Sequence, residues 1–160
     1  MLNVLLRVSI IVFFHLVLTG CAVTYKMPTA SYEPIKENIS GSHEDLFNTS
    51  IKVLYSEGYQ IIHSDIHTGT ITTAKRNIKL SAQECDCGTT LGLPYIKDTR
   101  TQTQISLCLA IENNLIVVNA DITGNYNVGK IEQDRPLTCV STGLIERGIL
   151  QKVQDKLKVQ

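Results

Sequence analysis

Hydrophobic positions change period along the chain, and the changes mark the elements. Phe47, Ser50, Ile51 and Leu54 recur at i, i+3, i+4 and i+7, the spacing of one buried helical stripe. Ser42 precedes them as an N-cap, and Asp45 follows three residues on, as in a capping box. Glu44 and Asp45 suit the positive end of the helix dipole. Gly58 stands where a left-handed residue closes a helix. A helix of about 14 residues is predicted. Tyr59 to Ser64 and Thr70 to Lys75 are rich in Ile and Thr and flank Asp65-Ile66-His67-Thr68-Gly69, which reads as a β-hairpin. The second strand runs on through 76–80, where Ile78 and Leu80 alternate with polar residues. From Gln102 to Glu112 the period is strictly two: Ile105, Leu107, Leu109 and Ile111 on one face, Ser106, Cys108, Ala110 and Glu112 on the other. Asn113-Asn114 fits a tight turn. Leu115 to Ile122 returns as a strand, and Thr123 to Arg135 reads as a polar loop. Leu150, Val153 and Leu157, with Ile145 and Ile149 beside them, give a closing helix over Thr142 to Leu157. Lys152, Lys156 and Lys158 favour its C-terminal end.

The order is helix, hairpin, long loop, hairpin, helix. The fold class expected is α+β: an antiparallel four- or five-stranded sheet with the N- and C-terminal helices packed on one face. This order resembles that of the helix-grip domains of the C-type lipoprotein of the outer-membrane barrel-assembly machinery. Helix 45–57, Gly58-Tyr59 and the Asp65 to Gly69 hairpin carry the likeness, over about two-thirds of the chain. The cysteines depart from that pattern.

The first 21 residues follow different rules. Arg7 precedes an apolar run from Val8 to Val17, broken by Ser9 and His15. A spanning helix needs about 20 apolar residues, and this run is far shorter. Leu18-Thr19-Gly20-Cys21 then resembles the lipobox of bacterial lipoprotein signal peptides. The resemblance implies cleavage after residue 20 and lipidation of Cys21, with a diacylglyceryl group on sulfur and an acyl chain on the new amino group. Ala22, rather than Asp, follows the cysteine. In Gram-negative lipoproteins Asp at that position favours the inner membrane, so an outer-membrane address facing the periplasm is implied. The expected division is 1–20 signal peptide, 21–41 lipidated cysteine and flexible tether, and 42–160 one α+β periplasmic domain. The tether has two prolines, scattered charge and no period. About 20 flexible residues extend roughly 25 Å, enough to hold a domain clear of the head groups. Part of it is also suited to an edge strand.

Charge removes some function classes. The chain has 15 basic and 15 acidic residues. Arg7 is lost with the signal, leaving 14 against 15, a formal charge of −1. No basic field attracts nucleic acid, so no nucleic-acid partner is expected. The 43% hydrophobic content includes the signal. The remaining domain of about 118 residues is enough for one core.

With Cys21 assigned to lipid, Cys85, Cys87, Cys108 and Cys139 form an even set. In an oxidising periplasm these read as two disulfides. A thiolate zinc site usually shows paired Cys-x-x-Cys knuckles, and redox catalysis a Cys-x-x-Cys at a helix start; neither occurs. Closing Cys85 on Cys87 would force a strained ring, so each is expected to reach Cys108 or Cys139, in either pairing. Loop 85–101 is then expected over the sheet face opposite the helices, pinned to Cys108. Each bridge is worth about 3–4 kcal/mol in the chain-entropy model.

Other constellations carry weaker chemistry. His63, Asp65 and His67 fall on one side of an extended strand, a set able to hold zinc or copper, or else a hairpin end capped by Asp65. No nucleophile motif such as Gly-x-Ser-x-Gly is present. His43 is expected to face solvent. Tyr95, Lys97, Asp98 and Arg100 on the long loop are candidates to contact a partner. The function expected is a non-enzymatic accessory or interaction module of the envelope, partnered by the membrane through its anchor and by an envelope protein, with no cofactor and no metal. The alternatives are a periplasmic binder of a small ligand, peptide or glycan, and, third, a metal-dependent or hydrolytic enzyme.

Overall fold

A computed structural model of the chain describes residues 25–31, 33–127, 129 and 134–159. The signal segment, the lipobox and Cys21 lie outside the described residues. In chain order the elements are β1 (Tyr25–Lys26), β2 (Ile35–Asn38), α1 (His43–Ser56), β3 (Ile61–Asp65), β4 (Thr70–Thr73), β5 (Arg76–Ile78), β6 (Cys85–Asp86), β7 (Thr89–Thr90) and β8 (Leu93–Pro94). A single 3-10 turn, Tyr95–Lys97, leads to β9 (Thr101–Glu112), β10 (Leu115–Tyr126), β11 (Arg135–Thr138), β12 (Val140–Ser141) and α2 (Leu144–Lys158).

The strict alternation at 102–112 builds the centre. β9 and β10 pair antiparallel along their whole length, from Leu115 opposite Glu112 to Tyr126 opposite Thr101. Asn113 turns the corner with φ of 53°. On one face of this ribbon, Ile105, Leu107, Leu109 and Ile111 are buried beside Ile116, Val118, Ala120 and Ile122. α1 contacts β9, α2 contacts β10, and the helices touch each other. Leu46, Phe47, Val53 and Leu54 of α1 and Ile149, Leu150 and Val153 of α2 complete the core. The protein is thus α+β, with antiparallel sheets and two helices.

The helix signals operate as their chemistry requires. Ser42 Oγ accepts from the Asp45 amide at 3.1 Å, the N-cap bond expected, and donates to Asp45 Oδ2 at 2.6 Å; Asp45 thus reaches back to the Ser42 hydroxyl and not to its amide, half of the expected capping box. Gly58 follows α1 with φ of 76°. In the β3–β4 hairpin, Gly69 takes φ of 67°, and its carbonyl accepts from the Ile111 amide at 2.9 Å. A Cβ there would lie 2.0 Å from Ile111 O, so the turn and the central ribbon meet backbone to backbone.

The main sheet is larger than expected, with seven strands rather than four or five. β10 carries β2 along one end of its free edge and β11 along the other. β9 likewise carries β4 and β5, and β3 lies outside β4. The additions, β2, β5 and β11, come from segments of three to four residues. Ile35–Asn38, expected within the tether, pairs with Leu115 to Val118, and the next residue, Ile39, is 2% exposed. β10 runs four residues past Ile122, because Thr123 to Tyr126 find partners on both sides, in β9 and β11. The polar loop expected from 123 is therefore strand as far as Tyr126.

Candidate functional site

The segment from Cys85 to Arg100 is where the fold departs most from regular structure. β1, β7 and β8 form a separate three-stranded sheet, and β6 pairs with β12. One covalent bond pins this region: Cys87 to Cys139, 52 residues apart in sequence. The sheet admits it through a missing side chain. Gly124 continues the inward register of Ile116, Val118, Ala120 and Ile122, and a Cβ on it would meet Cys139 Sγ at 2.6 Å and Leu137 Cβ at 3.2 Å. The bridge lies on the same face of β10 as the core residues.

This corrects two expectations. The loop does not cover the face opposite the helices; it covers the end of the inner face, over Gly124 and Tyr126. The second bridge is not formed, and Cys85 and Cys108 are free thiols. Cys108 belongs to the outward register of β9, between Thr72 and Asn119, and is exposed. Cys85 is fully buried in the core, its sulfur 3.9 Å from that of Cys87. The sheet itself stands between the two thiols. Burial, with the Glu84 and Asp86 carboxylates adding to it, pushes the Cys85 thiol up to about 12. It is a thiol rather than a nucleophilic thiolate at neutral pH.

Beside the bridge lies a row of three tyrosines. The Tyr25 and Tyr95 rings are 5.6 Å apart and tilted; Tyr95 and Tyr126 are 4.9 Å apart, edge to face. Both distances fall in the favourable range for aromatic pairs. Tyr25 Oη lies 3.4 Å from the carbonyl oxygen of Cys87 and 3.3 Å from that of Thr138, its one proton shared between them, so β1 touches both flanks of the disulfide. Gly88 permits this approach: its φ is 79°, and a Cβ would lie 2.3 Å from Lys26 O.

Asp98 and Arg100 close the row. Arg100 donates from Nε at 3.0 Å and Nη2 at 2.7 Å to the two carboxylate oxygens, a bidentate pair. Tyr126 Oη donates to Asp98 Oδ2 at 3.2 Å, and the guanidinium lies 4.8 Å from the Tyr126 ring centroid. The Arg100 side-chain and backbone hydrogen bonds hold the Asp98 carboxyl well below the usual carboxylate range. A mostly apolar cleft of about 320 Å³ opens here, lined by Thr90, Leu93, Tyr95, Asp98, Arg100 and Tyr126 among others. The Thr90 hydroxyl is buried with no hydrogen-bond partner. A larger groove of about 440 Å³, along Asn77, Lys79, Thr99 and Gln102, is more open and more polar.

Of the loop residues picked out in sequence, Tyr95, Asp98 and Arg100 come together, with Lys97 at the rim. Tyr25 and Tyr126 were missed, since one lay in the expected tether and the other in the expected loop. His63, Asp65 and His67 do not assemble as ligands. Asp65 instead accepts from the His67 amide at 2.9 Å and caps the hairpin turn; that bond, foremost, lowers its pKa. Among the described residues no group of three or more His, Cys, Asp or Glu could hold a metal ion. His43 does not simply face solvent: its Nε2 lies 2.7 Å from the Ile66 carbonyl oxygen and ties α1 to the hairpin.

No protein-family model matches the sequence, and no curated protein matches it. Among solved structures, the chain is similar to a TBP-like protein from Parabacteroides distasonis, at 14% identity and a TM-score of 0.41. The match covers 65% of this chain and 62% of that one. A superposition that loose defines neither a shared site nor a shared activity.

Proposed function

We propose that the chain is an outer-membrane-anchored periplasmic lipoprotein, a non-enzymatic envelope module that presents a small, bridged α+β domain to a partner protein. The observation that carries this is Leu18-Thr19-Gly20-Cys21 behind a short apolar run. Lipidation of Cys21 supplies the anchor, and two or more acyl chains make it stable. The Cys87–Cys139 bridge supports an oxidising compartment. The partner surface is the loop around Asp98, Arg100 and Tyr126, backed by the buried Tyr95 ring, since Tyr and Arg are enriched among the residues that dominate interface energetics. Labelled palmitate incorporated by the parent and absent from Cys21→Ser, with loss of membrane fractionation, is the expected result. Equal fractionation of both, without label, overturns the proposal.

A second reading has a specific observation behind it. The charged Asp98–Arg100 pair and the Tyr126 ring line a largely apolar cleft, the composition of a small-ligand pocket. A thermal shift with a periplasmic metabolite or glycan, abolished by Tyr126→Ala, separates this reading from a pure scaffold.

A further inference from the structure

Two leucines stand at the turn of the β7–β8 hairpin. Leu91 is 74% exposed and Leu93 69%. Thr90 pairs with Leu93, so Leu91 and Gly92 make a two-residue turn, with φ of 49° and 80°. Turns of this kind ordinarily take Asn, Asp or Gly first, because a bulky side chain at positive φ is strained. Here the strained position carries an apolar side chain.

β1 gives the turn a direction. Tyr25 pairs with Thr90 and Lys26 with Thr89. The chain therefore comes into the domain at the Leu91–Gly92 end of the hairpin. Cys21 is four residues before Tyr25, and four residues span at most about 14 Å when fully extended. The pairing of β1 thus replaces the long tether expected from the sequence with a very short one. Acyl chains on Cys21 would hold this end of the domain at the head groups.

We propose that in the lipidated protein the Leu91–Leu93 turn dips into the interfacial layer of the anchoring leaflet and sets the orientation of the domain. This rests on the lipidation of Cys21 proposed above. The bilayer is the occupant because it is the one apolar phase that the anchor brings to this end of the molecule. Apolar groups at an interface settle about 5–10 Å below the head-group boundary, within reach of side chains on a turn. Two leucines do not hold a protein on a membrane by themselves. Once the acyl chains have made the contact intramolecular, they suffice to bias it.

The chain contains no Trp, which makes the test direct. Leu91→Trp and Leu93→Trp are prepared separately as full-length lipidated protein, with Ile62→Trp as reference. Ile62 is 62% exposed and lies on β3, an edge strand of the main sheet. Each is placed in phosphatidylethanolamine–phosphatidylglycerol vesicles with brominated acyl chains. The expected result is blue-shifted emission from positions 91 and 93, quenched at least about twofold more than from position 62, as interfacial burial demands. If Leu91→Trp fails to fold, Leu93→Trp carries the test, because its backbone is not left-handed. Protein that has the acyl mass and floats with the vesicles, yet emits from 93 as from 62, overturns the orientation proposal alone. Protein that never acquires the acyl mass overturns the lipoprotein reading and this proposal with it.

Discussion

Gly124 lies directly beneath Cys139: a Cβ built on the glycine would stand 2.6 Å from the cysteine sulfur. The disulfide and the central strand share a space that any side chain would fill. Gly124→Ala should therefore destabilise the domain by about 1–3 kcal/mol, the usual range for overpacking. Gly124→Val should do so further. Chemical denaturation in oxidising buffer measures both; an unchanged midpoint for Gly124→Ala would contradict the packing.

Removing the bridge itself should have a larger effect. Closing 52 residues of chain is worth about 4 kcal/mol in the loop-entropy model. The Cys87→Ser, Cys139→Ser double variant is expected to lose most of that in denaturant titrations, and reductant should bring the parent towards the same midpoint.

The two free thiols should differ sharply. Cys108 is exposed and Cys85 buried. A maleimide added to native protein is expected to label Cys108 quickly and Cys85 only after unfolding, as peptide mapping would read. Burial raises Cys85 from 9.0 to about 12, so between those values the unfolded chain ionises first. Stability should fall as pH rises through that window, and Cys85→Ala should flatten the slope.

Gly88→Ala should loosen β1 without unfolding the sheet. The new Cβ would collide with Lys26 O and the Tyr25 ring. Hydrogen exchange at Tyr25 and Lys26 is expected to rise while β9 and β10 stay protected.

Asp98 provides a pH test near the cleft. Its carboxyl is held below the ordinary aspartate value of 3.8 by Arg100, so any stability it adds is present above that value and lost as pH falls through the lower, folded one. NMR titration should find Asp98 ionised at a pH where an ordinary aspartate is half protonated, and Arg100→Gln should remove the difference.

How much of this was legible in the sequence follows from the range of the interactions. α1, the β3–β4 hairpin and the β9–β10 ribbon carry their own period and caps, and they formed where those signals lay. β1, β2 and β11 are two to four residues long; a neighbour's free edge makes them strands, and no local period announces that. The outward register of Cys108 was visible, and it already placed that thiol on the face away from the core. The inward register also continues past Ile122 to Gly124. A glycine in line with a run of buried residues marks a close approach by another segment, and here that segment is the bridge.

The hydroxyl of Tyr25 spans the carbonyls of Cys87 and Thr138, one on each side of the covalent closure. Mechanical load applied to the start of the chain would therefore arrive beside a cross-linked clasp. The helices and the long central strands, which have no covalent reinforcement of their own, stand behind it. β1 itself is outside the covalent closure, so a pull on the leading end would part its two ladder pairs first and stop at the bridged segment behind them.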